Sequence, residues 1–140
     1  MLPFSLISSK SVEDLYFLEP AGKFQLIRDG DVGPVMIGHE YVIFSDILVE
    51  VLKTLDLEGT RFEPAIIWNR KTDIEYIGYQ RAIISSHFSD DQINDVNLDG
   101  LKFLIMNNQY LFASPELHNK IVSSDISTCF VTSEGLSHFG

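Results

Sequence analysis

The sequence predicts a single α+β domain, a mainly antiparallel sheet of about six or seven strands with two repeat-related helices packed on one face. Three observations predict it. The chain has 140 residues, 45% of them hydrophobic and ten of them Phe, which is enough for one core and too little for two. Polar spacers at 69–73 and 107–109 separate apolar runs and have the length that closes a β-hairpin, so neighbouring strands turn back on one another. Finally, two stretches read as copies of one strand-helix-strand unit. A shift of 69 positions carries Ser45 onto Ser114, Leu48 onto Leu117, Leu52 onto Ile121, Asp56 onto Asp125 and Leu57 onto Ile126. Neither unit can bury its apolar stripe alone, so both helices are expected against a shared core.

Taken in order, Ser11 with Val12, Glu13 and Asp14 reads as the start of a short helix, since the hydroxyl accepts from free first-turn amides and acids favour that end of the dipole. Glu19, Pro20, Ala21 and Gly22 stop it. Residues 23–28 alternate polar and apolar as a half-buried strand does, and 29–34 carry Gly30, Gly33 and Pro34 in a turn-rich loop. Residues 41–44 are continuously β-branched or aromatic and predict a buried strand. Ser45 caps a helix over 46–55 whose Ile47, Leu48, Val51, Leu52 and Leu55 lie on one stripe, with Gly59 near its exit. Residues 65–68 and 74–78 form a hairpin that 81–84 extend.

Ser89, Asp90, Asp91 and Gln92 match a capping box and open a short helix to about Val96, ended by Asn97 and Gly100. Residues 101–106 and 110–113 make another hairpin. Ser114 and Pro115 open the second helix, because proline at the first helical position loses no hydrogen bond. Glu116 and Lys120 support that helix at a spacing of four. From Thr132 to the end no periodicity appears, and a loose tail is expected.

Twenty Asp and Glu against ten Lys and Arg give a net charge of −10, which opposes any binding that neutralises phosphates and excludes nucleic acid and anionic membrane as expected partners. A basic protein is instead drawn to such a surface. Cys129 is the sole cysteine and cannot form an internal disulfide; between Thr128 and Phe130 it reads as a small apolar filler. Lys10 follows the first apolar residues instead of preceding them as in a secretory signal, and no run approaches the roughly 20 apolar residues that span a bilayer. The expected compartment is the cytoplasm.

Ser45, Leu48, Leu52, Gly59, Phe62 and Pro64, followed by a hairpin, a short Asp-rich helix, a second hairpin, Ser114, Leu117, Ile121 and Phe130, give an order of elements that resembles a bacterial family. It is similar to the eleventh family of polymorphic-toxin immunity proteins, a domain of unknown function related to the myxococcal immunity protein, over about residues 40–131. The resemblance implies a protein that binds and blocks a cognate toxin, with no chemistry and no cofactor of its own.

The acids Asp90, Asp91, Asp95 and Asp99 stand between Arg81 and Lys102 with no basic residue among them, and form the candidate docking face for a basic toxin cleft. Acids are also favoured at a solvated helix start, which is the bland explanation. Tyr79 and Arg81 are a secondary patch, because aromatics and arginine dominate interface hot spots. Two other functions compete. A small enzyme would centre on His39 and Glu40 and would need a deep pocket where further groups converge. A homo-oligomeric scaffold would use an exposed strand edge such as 101–106. His87, His118 and His138 stand singly, so no metal site is expected, and Ser45 and Ser114 have sufficient reason to exist as helix caps.

Overall fold

Short β-branched and aromatic runs bury both faces when they become interior strands, and such runs organise this chain. The computed structural model describes residues 1–10, 15–18, 23–26 and 32–137. Its strands are β1 (Phe4–Ser8), β2 (Leu15–Leu18), β3 (Lys23–Leu26), β4 (Val35–Gly38), β5 (Tyr41–Ser45), β6 (Thr60–Asn69), β7 (Ile74–Ile84), β8 (His87–Phe88), β9 (Phe103–Met106), β10 (Tyr110–Ala113) and β11 (Phe130–Glu134). Helix α1 (Asp46–Leu52) follows β5, and α2 (Pro115–Val122) follows β10. The chain is a single α+β domain of two sheets, one ordered β11-β1-β10-β9-β8 and the other β2-β3-β6-β7-β5-β4.

The main core lies between the sheets. Leu6, Phe103 and Leu111 of the smaller sheet meet Val42, Phe44, Ala82 and Ile84 of the larger, and the Phe44 ring stands 5.8 Å from Phe103 and 6.1 Å from Phe130. Leu48 and Leu52 of α1 and Leu117 and Ile121 of α2 enter this same cluster. Each such side chain, fully buried, contributes about 1.5–3 kcal/mol. Ser45 Oγ accepts from the Leu48 amide at 3.3 Å and Ser114 Oγ from the Leu117 amide at 3.4 Å, with cap backbones at φ/ψ −64/153 and −59/155.

The larger sheet curls. β3 and β5 are separated by β6 and β7, yet the Phe24 and Tyr41 rings are 5.8 Å apart and the Leu15 amide donates to Tyr41 Oη at 3.2 Å. The concave side encloses a second cluster of Leu15, Phe24, Leu26, Met36, Ile43 and Ile67. A third, with Phe88, Leu104 and Phe112, lies on the outer side of the smaller sheet beneath Ile93, Val96 and Leu98.

Two mixed sheets replace the single mainly antiparallel sheet expected from hairpin spacing, since β3 pairs with β6 and β8 with β9 in parallel. Hairpin lengths report only on strands adjacent in sequence. β1 and β8 are strands without turn signals of their own, and β4 is a four-residue strand between a loop and a turn. The helix expected after Ser11 gives way to strand at Leu15–Leu18, where a run of large apolar and aromatic residues has no helical stripe; its proposed start at 11–14 and stop at 19–22 lie outside the described residues, as do 27–31 and 138–140. The helix expected to Val96 is one 3-10 turn, Asp90–Gln92, because Ile93 is drawn into the third cluster and Asn97 Oδ1 accepts from the Asp99 amide at 2.9 Å.

Asp56, at φ 52, takes the left-handed position after α1 and its terminal 3-10 turn, leaving Gly59 to a tight turn where a Cβ would lie 2.5 Å from Ser85 Oγ. The expected loose tail begins as strand, since Val131 to Glu134 pair with β1, and Leu136 packs on the third cluster. The strand edge proposed for a scaffold is no edge: β9 runs between β10 and β8, and all four of its residues are buried.

Candidate functional site

Three turns from distant parts of the sequence meet at one end of the domain. The β4–β5 hairpin closes through His39 and Glu40, with Gly38 paired to Tyr41. A Cβ on Gly38 would lie 2.4 Å from the Tyr41 ring, so only glycine lets that ring lie back across the hairpin. Glu40 has a φ of 65, and its amide donates to the Asn108 carbonyl at 2.8 Å. Asn108 belongs to the β9–β10 turn, where Asn107 and Asn108 have φ of 54 and 57, values that asparagine tolerates and a hairpin turn requires. Asn107 Oδ1 in turn accepts from the Asp90 amide at 3.2 Å. Arg81 Nη2 completes the linkage by donating to the Glu40 carbonyl at 2.8 Å.

Beneath these turns lies a cleft of about 180 Å³. Val42, Ala82, Ile84 and Ile105 supply its apolar floor, drawn from both sheets, and Glu40, Arg81, His87, Asn108 and Gln109 its polar rim. His87 Nε2 stands 2.9 Å from the Ile84 carbonyl, which assigns the proton of the neutral ring to Nε2. The guanidinium of Arg81 also lies 5.7 Å from the Phe24 ring, in range for a cation–π contact. An apolar floor with a polar rim fixed by backbone bonds suits the reception of a partner side chain.

The predicted site residues divide between this end and other places. Arg81 lines the cleft, and Asp90 is tied to its rim through Asn107. Asp91 and Asp95 continue the same exposed segment, with Asp91 accepting from Ser89 Oγ at 2.5 Å and the Asp95 amide donating to the Gln92 carbonyl at 2.8 Å. Asp99 is exposed at the segment's far end, next to Gly100, whose Cβ position would be 2.8 Å from Glu58 Oε1. Tyr79 packs half-buried on the second cluster, and burial followed by the neighbouring Tyr76 raises its pKa above the usual 10. Glu40, Asn108, Gln109 and His87 escaped the sequence reading as rim residues. Paired asparagines at a hairpin turn were their only signal.

His39 and Glu40 approach to 3.7 Å but are 69% and 70% exposed in their side chains, on an open turn, and His39 does not line the cleft. Among the described residues no three His, Cys, Asp or Glu side chains stand close enough to hold a metal ion. Cys129 is half-buried, and burial raises its thiol pKa, the opposite of nucleophilic activation. No helix among the described residues is long and apolar enough to cross a membrane. Comparison of the chain with known protein families, curated proteins and solved structures finds no match.

Proposed function

We propose that the chain is an immunity protein, which binds a cognate bacterial toxin in the cytoplasm of the producing cell and occludes the toxin's active site without chemistry of its own. The observation that carries this reading is the hydrogen-bonded set of turns that places Glu40 at the rim of an apolar-floored cleft and ties the exposed Asp90–Asp91 turn to the neighbouring hairpin, on a chain of net charge −10. Acids on these turns favour approach of a basic surface, and a preformed cleft gives an anchoring side chain somewhere to go. The resemblance in residue order, from Ser45 and Leu48 to Ile121 and Phe130, adds to it. So does a duplicated strand-Ser-helix unit: the matched caps at Ser45 and Ser114 and the shared burial of Leu48 with Leu117 and Leu52 with Ile121 are what a repeat built for packing would leave.

The test is a binding measurement against the product of the adjacent upstream gene, followed by assay of that product's toxicity with and without this chain. A complex at micromolar concentration with loss of toxin activity is expected. Absence of any complex, or a complex that leaves the toxin fully active, overturns the proposal.

A further inference from the structure

A slip in the β6–β7 ladder turns apolar side chains outward at a place the main core does not reach. Tyr76 and Tyr79 both pack on the concave cluster of the larger sheet although they are three residues apart, and the register shifts between Ala65 and Ile67. Strict alternation cannot put both tyrosines on one face, so the two residues between them, Ile77 and Gly78, share the opposite, convex face. Asp46 at the start of α1 stands on that face: its Oδ1 accepts from Gln80 Nε2 at 3.0 Å, and its Oδ2 is 3.8 Å from the point where a Cβ on Gly78 would sit. Apart from Gly78 and its chain neighbours, no other atom of the described residues comes within 4 Å of that point, so the missing side chain leaves a notch.

Ile47 and Ile77, the chain neighbours of Asp46 and Gly78, are 78% and 77% exposed. Alternation along β6 adds exposed Pro64 and half-buried Ile66 and Trp68 to this face, since Ala65 and Ile67 between them point into the concave cluster. Trp68 is fixed by its indole N–H, which donates to Asp73 Oδ1 at 3.0 Å, and by the Lys23 ammonium 5.9 Å from its ring. Single exposed apolar residues are ordinary, but two isoleucines around a notch and continuous with a held tryptophan form a patch.

We infer that this convex face of β6 and β7, bounded by α1, docks a second protein that brings an apolar side chain flanked by lysine or arginine. The isoleucine end is bordered by exposed Asp46 and Glu50, whereas the cations Arg70 and Lys71 stand at the opposite, hairpin end. A second copy of this chain, at net charge −10, would approach against its own field, and face-to-face pairing about the notch would oppose Asp46 and Glu50 to themselves. A basic partner meets no such opposition. The surface involves residues distinct from the acid turn and cleft, and the inference holds whether or not the partner is a toxin.

The experiment is selection of a displayed random-peptide library on the full chain, with counter-selection on a variant carrying Ile47→Ser and Ile77→Thr that keeps the wild-type circular dichroism and melting profile. Peptides retained by the wild type alone should pair Leu, Phe or Trp with Lys or Arg. Their affinity should fall at least about tenfold with either isoleucine substitution, as for a hot-spot contact, and more modestly with Asp46→Asn plus Glu50→Gln. An empty selection, peptides that bind both proteins equally, or peptides without basic residues would overturn the inference. So would concentration-dependent self-association in sedimentation that the isoleucine variant abolishes, because the occupant would then be a second copy.

Discussion

Ser45 and Ser114 open the two helices in nearly the same way, yet they do not contribute equally. Ser45 is half-buried and its hydroxyl caps Leu48, while Ser114 is fully buried, accepts from the Lys102 and Leu117 amides at 3.2 and 3.4 Å, and donates to the Gly100 carbonyl at 2.7 Å. Ser45→Ala should cost about 1 kcal/mol, the worth of a lost cap. Ser114→Ala also strands buried amides and a part-buried carbonyl and should cost about 2–3 kcal/mol, an inequality that urea unfolding of the two variants will show. The sequence announced both caps, since serine before an amphipathic stripe has a local meaning, but the bonds from Ser114 to Gly100 and Lys102 depend on a hairpin it could not announce. His118 gives a second residue-scale prediction. Its Nε2 is 3.0 Å from Thr132 Oγ1, its Nδ1 is buried without a hydrogen bond, and its ring stacks 3.8 Å from Phe4. Burial disfavours the imidazolium and lowers the pKa below the usual 6.5. As pH falls below about 6.5 the unfolded chain therefore binds the proton first; stability is full above that value, declines toward the folded-state pKa and then levels. The urea midpoint of His118→Gln should fall less than that of the wild type between neutral and mildly acidic pH.

At the scale of elements, legibility follows locality. The β6–β7 and β9–β10 hairpins, β5 and the two helix starts could be read because each carries its own turn, cap or stripe. β1 could not, because five residues without a hairpin partner say nothing about where they will pair. It nonetheless lies inside the smaller sheet, joined to β10 through Phe4, Ser5 and Leu6 and to β11 along its whole length. Leu6 is 2% exposed within the main core. Removing residues 1–9 would open two strand edges at once and delete that core side chain, a loss of about 2–5 kcal/mol for the leucine alone before any lost ladder is counted. The truncated chain should lose cooperative urea unfolding and aggregate. Retention of a wild-type transition would show that β10 and β11 close on each other without β1. The cleft was legible only in part for the same reason. Arg81 and Asp90 announced themselves by residue type, whereas the bond from the Glu40 amide to the Asn108 carbonyl, which brings the turns together, joins backbones whose side chains carry no record of it.

For the molecule as a whole, the charge imbalance is the property that reading the sequence captured most directly, and the structure leaves it largely uncompensated at close range. Ion pairs such as Lys23 with Glu75 and Arg61 with Glu63 lie at the surface, where such pairs contribute little to stability. The surplus acids therefore act outward, as a field that falls off over about 8–10 Å at physiological salt. A field of this kind raises the rate at which an oppositely charged partner arrives and leaves its departure nearly untouched, since departure is set by contacts made at close range. The association rate with a basic toxin should accordingly drop by about tenfold or more from low to high salt, while the dissociation rate changes little. Asp90→Asn with Asp91→Asn should lower the association rate at low salt, lose that difference at high salt, and leave stability within about 0.5 kcal/mol of wild type, because both carboxylates are exposed. Stopped-flow rates across a salt series measure each part. A salt-independent association rate would mean that arrival is governed by shape, and that the acids serve solubility instead of recognition.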